Sequence, residues 1–406
     1  MHKGVWYQLG DKGQKIAEEL LKSSNGVGVV LSPRDISDAK AEEYGRSYRN
    51  NNAEVVFDPQ LYVPQNSVGL HETHEEFMEF RVSASKLLKH SQSEFARLGA
   101  ALRNVAKKYS CTAILSPAIA LQAGQPEHLK LNIDLLDVAI ESASKIGLPV
   151  YGVIPIGQSL ALSQSELSSV ISKYTSKKVD GWMLMMDLGQ NGFSVDTVLL
   201  KSLGVSILRL AQTGVPVMHG CAGPHALLSS AFGASAVGIA HSKNMWHLPL
   251  SRFIPSDGGG GGASATRVFS RALWSNFVYP DEFARLPSLL KEQIVESSKW
   301  VSIDLENDAI YLASDFRQWD ANKHLLKIIG SEFSDLLSID DLNIRCDLVE
   351  KRLSGSIVLH KLIGSHYSVK DRASAHQSTW LSVLTDIRKM RKLDYQYLEL
   401  LRTSKQ

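Results

Sequence analysis

At 406 residues, 44% of them hydrophobic and 21% charged, the chain is long enough for a large barrel and has an ordinary globular composition. Its formal net charge of +2 says little about partners. Three cysteines without paired spacing exclude a disulfide framework and fit a reducing cytoplasm; no signal peptide and no membrane-spanning segment are expected, because no apolar run reaches eighteen residues.

Residues 27–32 (VGVVLS) read as the first strand, Ala39 to Tyr48 as a short helix, and Glu54 to Tyr62 as the second strand. Residues 65–92 are polar, carry His71, His74 and His90, and are expected as an insertion above the sheet's mouth. The helix predicted over 94–109 places Phe95, Leu98, Leu102, Val105 and Tyr109 on one face and leads into strand 111–117. A second helix, 129–146, carries Leu129, Ile133, Leu136, Ile140 and Ala143 and stops at Gly147.

From Leu148 to Lys243 the pattern becomes regular. Apolar strands are expected at 148–157, 179–189, 214–223 and 234–242. Between them, helical spacing relates Leu167, Val170, Ile171 and Tyr174, then Val195, Val198, Leu199 and Leu203, then Leu227, Leu228 and Ala231. Continuous apolar strands separated by amphipathic helices require a parallel sheet covered by helices, and this regularity predicts a (β/α)₈ TIM-like barrel in the α/β class. Chemistry in such barrels sits just after the strands.

After His247 the regularity fails. The expected organisation is a barrel over 1–250, a glycine-rich mobile loop over 251–270 and a mainly helical region over 271–406 that completes and flanks the barrel. Gly258 to Gly262 are consecutive, unlike the spaced glycines of a phosphate cradle. A strand pair is expected around 300–313, and a last helix over 378–401 with Trp380, Leu384 and Ile387 on its apolar face. Arg388, Lys389, Arg391 and Lys392 cluster on the rest of that helix, as either a solvated face or a nucleic-acid backbone contact.

The order of features resembles the tRNA-guanine transglycosylases and their DNA-modifying 7-deazaguanine relatives. Tyr151-Gly152-Val153-Ile154 stands where that family carries an FGI-QGG strand, and Val179-Asp180-Gly181-Trp182 where it carries a DGYAIGGL strand. Pro216 to Leu228 parallels its P-R-Y-L-M-G-V-G-T-P-E-D-L-L turn, with Gly220, Pro224, Leu227 and Leu228 in step. Val55 to Gln60 parallels the strand ending in T-D-S-G-G-F-Q. The resemblance spans roughly residues 27 to 245 and implies a pentosyl-transferring, base-exchanging barrel acting on DNA, tRNA or a nucleobase. It implies an acid/base role for Asp58 and substrate contact for Gln60. The departures are specific. No Asp or Glu occurs from Pro216 to Ser256, so the family's nucleophile, expected near Gly238, is missing. Pro155 replaces the base-reading glutamine, Met185-Met186 replaces a glycine pair, and the dispersed cysteines cannot build the family's zinc site.

Among candidate residues, Asp58 and Asp187 each end a strand; each is either catalytic or a local structural carboxylate. His219 and Cys221, two apart on one strand, are expected to share a face, with His241 on the next strand. The three line the mouth, pack, or form a partial metal site lacking further ligands. Lys243 and Asn244, beside His241, stand where barrels bind anionic groups. No metal and no cofactor is expected. Two other classes remain open: a non-catalytic barrel binding nucleic acid or a partner subunit, and a phosphate- or flavin-binding small-molecule enzyme.

Overall fold

The computed structural model describes residues 1–8, 13–23, 26–63, 72–77, 87–189, 193, 196–248, 250–253, 266–278, 282, 302–304, 309–311, 318–366 and 375–403. In chain order the barrel elements are β1 (Gly4–Tyr7), α1 (Gln14–Lys22), β2 (Gly28–Leu31), α2 (Asp38–Asn50), β3 (Glu54–Phe57), α3 (Gln92–Lys108), β4 (Ile114–Leu115), α4 (Pro126–Ile146) and β5 (Val150–Ile156). They continue with α5 (Gln158–Leu162), α6 (Gln164–Thr175), β6 (Gly181–Met186), α7 (Thr197–Ala211), β7 (Val217–Ala222), α8 (Ala226–Phe232) and β8 (Ala236–Ile239). The strands are parallel, in the order β3-β2-β1-β8-β7-β6-β5-β4. The seam between β3 and β4 is joined where the Thr112 N–H donates to the Val55 carbonyl (2.7 Å) and the Val55 N–H donates to Thr112 Oγ1 (3.1 Å). The fold is therefore a (β/α)₈ barrel.

The first barrel strand is not 28–31 but Gly4–Tyr7, which pairs with β8 on one side and β2 on the other. Only four residues long, GVWY is buried throughout yet too short to announce itself by alternation. The second expected strand, 54–62, stops at Phe57, because Asp58 turns the chain and Gln60 adopts φ 53°.

Two apolar layers follow from strand alternation. Trp6, Val30, Val56, Tyr151, Val153, Met183, Met185, Met218 and Ala236 fill the barrel interior, while Tyr7, Val29, Val55, Ile154, Leu184 and Val237 pack outward against the helices. Helix α4 starts with Pro126 in its first turn and ends at Gly147, whose φ of 68° is the left-handed conformation that favours glycine. Helix α7 starts at Asp196, whose carboxylate accepts the Val198 and Leu199 N–H groups (2.9 and 3.0 Å).

The described parts of the 65–92 segment enter the helix layer rather than roofing the mouth. His74 is buried, its ring tilted against that of Phe57, and bonded to the Tyr109 hydroxyl (2.9 Å) and the Ile36 carbonyl (2.7 Å). His90 pairs with Asp134 on α4 (2.5 Å). His71 lies outside the described residues.

Beyond β8, an unanticipated hairpin joins β9 (Arg267–Ser270) to β10 (Ser275–Val278). The expected strand pair forms as β11 (Ser302–Asp304) and β12 (Ala309–Tyr311), antiparallel. Helix α9 (Gln318–Leu337) packs on β1, β9 and α8, and so covers the β8–β1 side of the barrel. Helices α10 (Leu342–His366) and α11 (Ala375–Thr403) pack together, and α11 buries Trp380, Val383, Leu384 and Ile387 against the barrel helices. The penta-glycine run lies outside the described residues, and no described helix is long and apolar enough to cross a membrane.

Candidate active site at the barrel mouth

Asp58 is the first residue past β3 and is only 2% exposed. Its Oδ1 accepts the Gln60 N–H (2.9 Å), forming the turn that holds Gln60 at positive φ, and its Oδ2 accepts the Tyr62 hydroxyl (2.6 Å). Burial pushes this carboxyl up to about 6, and the two hydrogen bonds only partly oppose that. A carboxyl poised there can carry or release a proton near neutral pH. The Tyr62 ring meets Phe253 edge-on, with centroids 5.5 Å apart, so the acid lies beneath an aromatic cover.

Met185 forms the floor. Its sulfur lies 3.7 Å from the Tyr62 hydroxyl, 3.7 Å from Cys221 Sγ and 3.9 Å from Gln8 Nε2. Gln8 follows β1, and its Oε1 accepts the Cys221 N–H (2.7 Å). A Cβ on Gly238 would lie 2.9 Å from the same Oε1. The amide of Gln8 thus occupies the space into which a side chain at 238 would project, where the transglycosylase resemblance implies a nucleophile.

His219 and Cys221 do not share a face. The register between β7 and β8 shifts between His219 and Ala222, and Cys221 adopts φ 53°. This bulge turns Cys221 into the barrel, while His219 points outward to the Ser229 hydroxyl (2.7 Å) on α8. A Cβ on Gly220 would meet Met183 at 2.6 Å and Met185 at 2.8 Å, so the bulge needs glycine beside the packed methionines. Burial lowers His219 to about 3 and also lowers the fully buried His225, whose ring lies 5.1 Å from that of His219. Of the readings open to His219, packing holds: it is a neutral histidine of the sheet–helix layer and does not line the mouth as a substrate contact. Burial, with the charge of Asp58, raises the Cys221 thiol to about 12, so it is no thiolate nucleophile. The trio with His241 is not a metal site, and among the described residues no group of three or more His, Cys, Asp or Glu could hold a metal ion.

Asp187 is the first residue past β6. Its Oδ1 accepts the Gly189 N–H (3.0 Å) and pairs with His247 Nδ1 (3.1 Å), and its side chain is 20% exposed. Asp58 and Asp187 therefore stand at the same end of the barrel, on strands separated by β4 and β5. Tyr62, Gln8 and His247 were not anticipated. Their signals are slight: Tyr62 lies four residues after Asp58, and Gln8 directly follows the missed strand.

Lys243 is exposed on a short 3₁₀ turn, its ammonium 6.0 Å from the Phe193 ring centre, with exposed Asn244 beside it. On α11, Arg388 pairs with Asp347 (2.7 Å) and Glu350 (3.3 Å) of α10, and Arg391 binds the Asn343 side chain. Lys389 and Lys392 remain exposed. Two members of this basic cluster, Arg388 and Arg391, are thus tied to α10, and the other two present their side chains to solvent.

No protein-family model and no curated protein matches the chain. Among solved structures it is similar to an enolase from environmental sequencing of the Sargasso Sea (12% identity, TM-score 0.32, covering 59% of this chain and 54% of that one). It is also similar to a GH10 xylanase from Bispora sp. MEY-1 crystallised with xylobiose (8%, 0.35, covering 58% and 82%). A third, the isomaltulose synthase of Klebsiella sp. LX3, shows 8% identity and a TM-score of 0.38 over 84% of each chain. The chain thus spans about half the length of the enolase.

Proposed function

We propose that the protein is a divergent barrel enzyme that breaks or exchanges the glycosidic bond between a nucleobase and its pentose, in a nucleic acid or a nucleoside. The observation that carries this reading is Asp58, a buried carboxyl at the end of β3 whose proton is held to about pH 6 and whose position the transglycosylase resemblance assigns to acid/base work. Protonated Asp58 hands its proton to the departing base. The second carboxylate, Asp187, held by His247 and the Gly189 N–H, offsets the positive charge that develops at the anomeric carbon, and water or the incoming base then bonds to that carbon and gives a proton back to the Asp58 carboxylate. Because Gln8 fills the space beside Gly238, this scheme uses no nucleophile on β8.

The test is chromatographic detection of free base, or of exchange with labelled guanine or a 7-deazaguanine, after incubation with tRNA, DNA or nucleosides. Wild-type turnover lost in Asp58→Asn supports the reading, and full activity in Asp58→Asn rejects it. The near-complete burial of Asp58, whose partner Tyr62 is itself packed on Phe253, favours a second reading, a barrel that binds nucleic acid or a partner subunit without turnover. Salt-dependent binding without base release supports that alternative.

A further inference from the structure

At the β8–β1–β2 side of the mouth stands a second cluster. Ser32, Arg34 and Asp35 follow β2, His241 follows β8, and Arg252 comes from the segment before the glycine run. One oxygen of Asp35 accepts both guanidiniums, Arg34 Nη1 at 3.2 Å and Arg252 Nη2 at 2.9 Å. Ser32 Oγ donates to the other oxygen (3.3 Å), and Arg34 Nε donates to the Arg252 carbonyl (2.9 Å). The Asp35 side chain is 5% exposed, whereas those of Arg34 and Arg252 reach solvent at 26% and 18%. Two guanidinium charges thus meet one buried carboxylate, and a charge of about +1 is left at the half-open side. A tie that only fixed the 250–253 segment would need one arginine.

A second, independent feature points the same way. His241 Nδ1 is buried without a hydrogen-bond partner, in a place where the charges of Asp35 and Arg252 both act on the ring. Such an atom has a cost unless something binds it. The Arg252 charge also reaches Cys221, which lies beside Asp58, so this cluster borders the proposed acid.

We infer that Arg34, Arg252 and His241 form a phosphate subsite that seats a phosphate group of the substrate next to Asp58. This deepens, and rests on, the base-exchange reading. A phosphate offers several acceptor oxygens in a tetrahedral array and suits two planar guanidiniums and an imidazole N–H converging from different strands. The Arg34 and Arg252 pair discriminates nucleotide from free nucleoside, and Asp35 holds both arginines in place. Lys243 is not needed for this, since its ammonium lies over Phe193.

Calorimetry on the full chain tests this without turnover, using inorganic phosphate, guanosine 5′-monophosphate, guanosine and a short single-stranded oligonucleotide. Phosphate and the monophosphate should bind, and guanosine should bind at least about tenfold more weakly than its monophosphate. Tighter binding of the oligonucleotide than of the monophosphate assigns the site to a polynucleotide backbone; equal binding assigns it to a free nucleotide. Arg252→Gln, with Arg34→Gln as a second variant checked for folding by circular dichroism, should weaken phosphate at least about tenfold. As a measurement independent of either variant, phosphate should raise the wild-type melting temperature above that in chloride at equal ionic strength. Guanosine binding as tightly as its monophosphate, phosphate acting no better than chloride, or unchanged affinity in a folded arginine variant overturns the subsite. Phosphate binding without base release in the chromatographic assay would leave the subsite standing and remove the base-exchange reading.

Discussion

Asp58→Asn separates catalytic from structural roles because stability and turnover should move in opposite directions. The carboxyl is buried in the mouth, and its proton is held up to about 6 against an ordinary value near 3.8. Proton affinity higher in the folded than in the unfolded chain makes stability greatest at low pH. That stability is fully present below about pH 4 and is lost as pH rises through about 6. At about 1.4 kcal/mol per pH unit, the ionised carboxylate costs the fold about 3 kcal/mol above that range. Asparagine carries no charge and removes this cost. Its amide can still accept the Gln60 N–H, but it places an N–H₂ where Oδ2 accepted the Tyr62 hydroxyl, at a cost of about 1–2 kcal/mol. At pH 8 the variant should therefore be more stable by about 1–2 kcal/mol, or about 1–2 °C in melting temperature for a chain of this length. The gain should vanish near pH 5 and turn into a loss of about 1–2 kcal/mol by pH 4, where the wild-type carboxyl is protonated and only the amide's cost remains. Turnover, measured as base release, should fall about 10²-fold or more. Differential scanning calorimetry of both proteins between pH 4 and 8 reads the first effect. A variant markedly less stable than wild type at pH 8 would refute the reasoning and expose Asp58 as a structural cap.

Other outcomes follow from the same geometry. Asp187→Asn, which removes the charge facing His247 at a partly exposed site, should leave melting nearly unchanged, and base release should fall as far as in Asp58→Asn only if the two carboxylates act together. Gly45→Ala should destabilise by about 2–4 kcal/mol in urea unfolding, because the new methyl would lie 2.0 Å from the Tyr109 carbonyl oxygen, a backbone atom that cannot swing away. Cys111 and Cys221, buried and raised to about 12, should resist a disulfide thiol reagent at pH 8 in the folded protein and react after denaturation. Elemental analysis of the purified protein should find no stoichiometric zinc; about one zinc per chain would contradict the separation of His219 from Cys221.

The barrel was legible in the sequence because it is written in repeated, local patterns. Buried parallel strands must be apolar on both faces and their helices on one, so Leu148 to Lys243 spelled out four strands and three helices with boundaries close to those observed. Asp58 and Asp187 were legible for the same reason, since each is the first charge after an apolar run, and such a residue falls at the mouth. Helix α11 was equally plain from Trp380, Leu384 and Ile387.

What tertiary structure alone decided is everything that depends on partners distant in the chain. Strand β1 is a strand because β2 and β8 flank it, and four residues carry too little periodicity to say so. The faces of His219 and Cys221 were inverted by a bulge, a one-residue defect that leaves no mark on composition. Gln8 closes the space at Gly238 from 230 positions away, and Arg252 meets Asp35 across 217. That Arg388 and Arg391 meet Asp347, Glu350 and Asn343 was likewise decided by the packing of α10 against α11. The sequence determined the barrel and where its mouth would be, because burial is a property of each residue's own neighbourhood. Closure of the sheet decided which groups meet in that mouth, because hydrogen bonds and charges act between residues that only the closed barrel brings together.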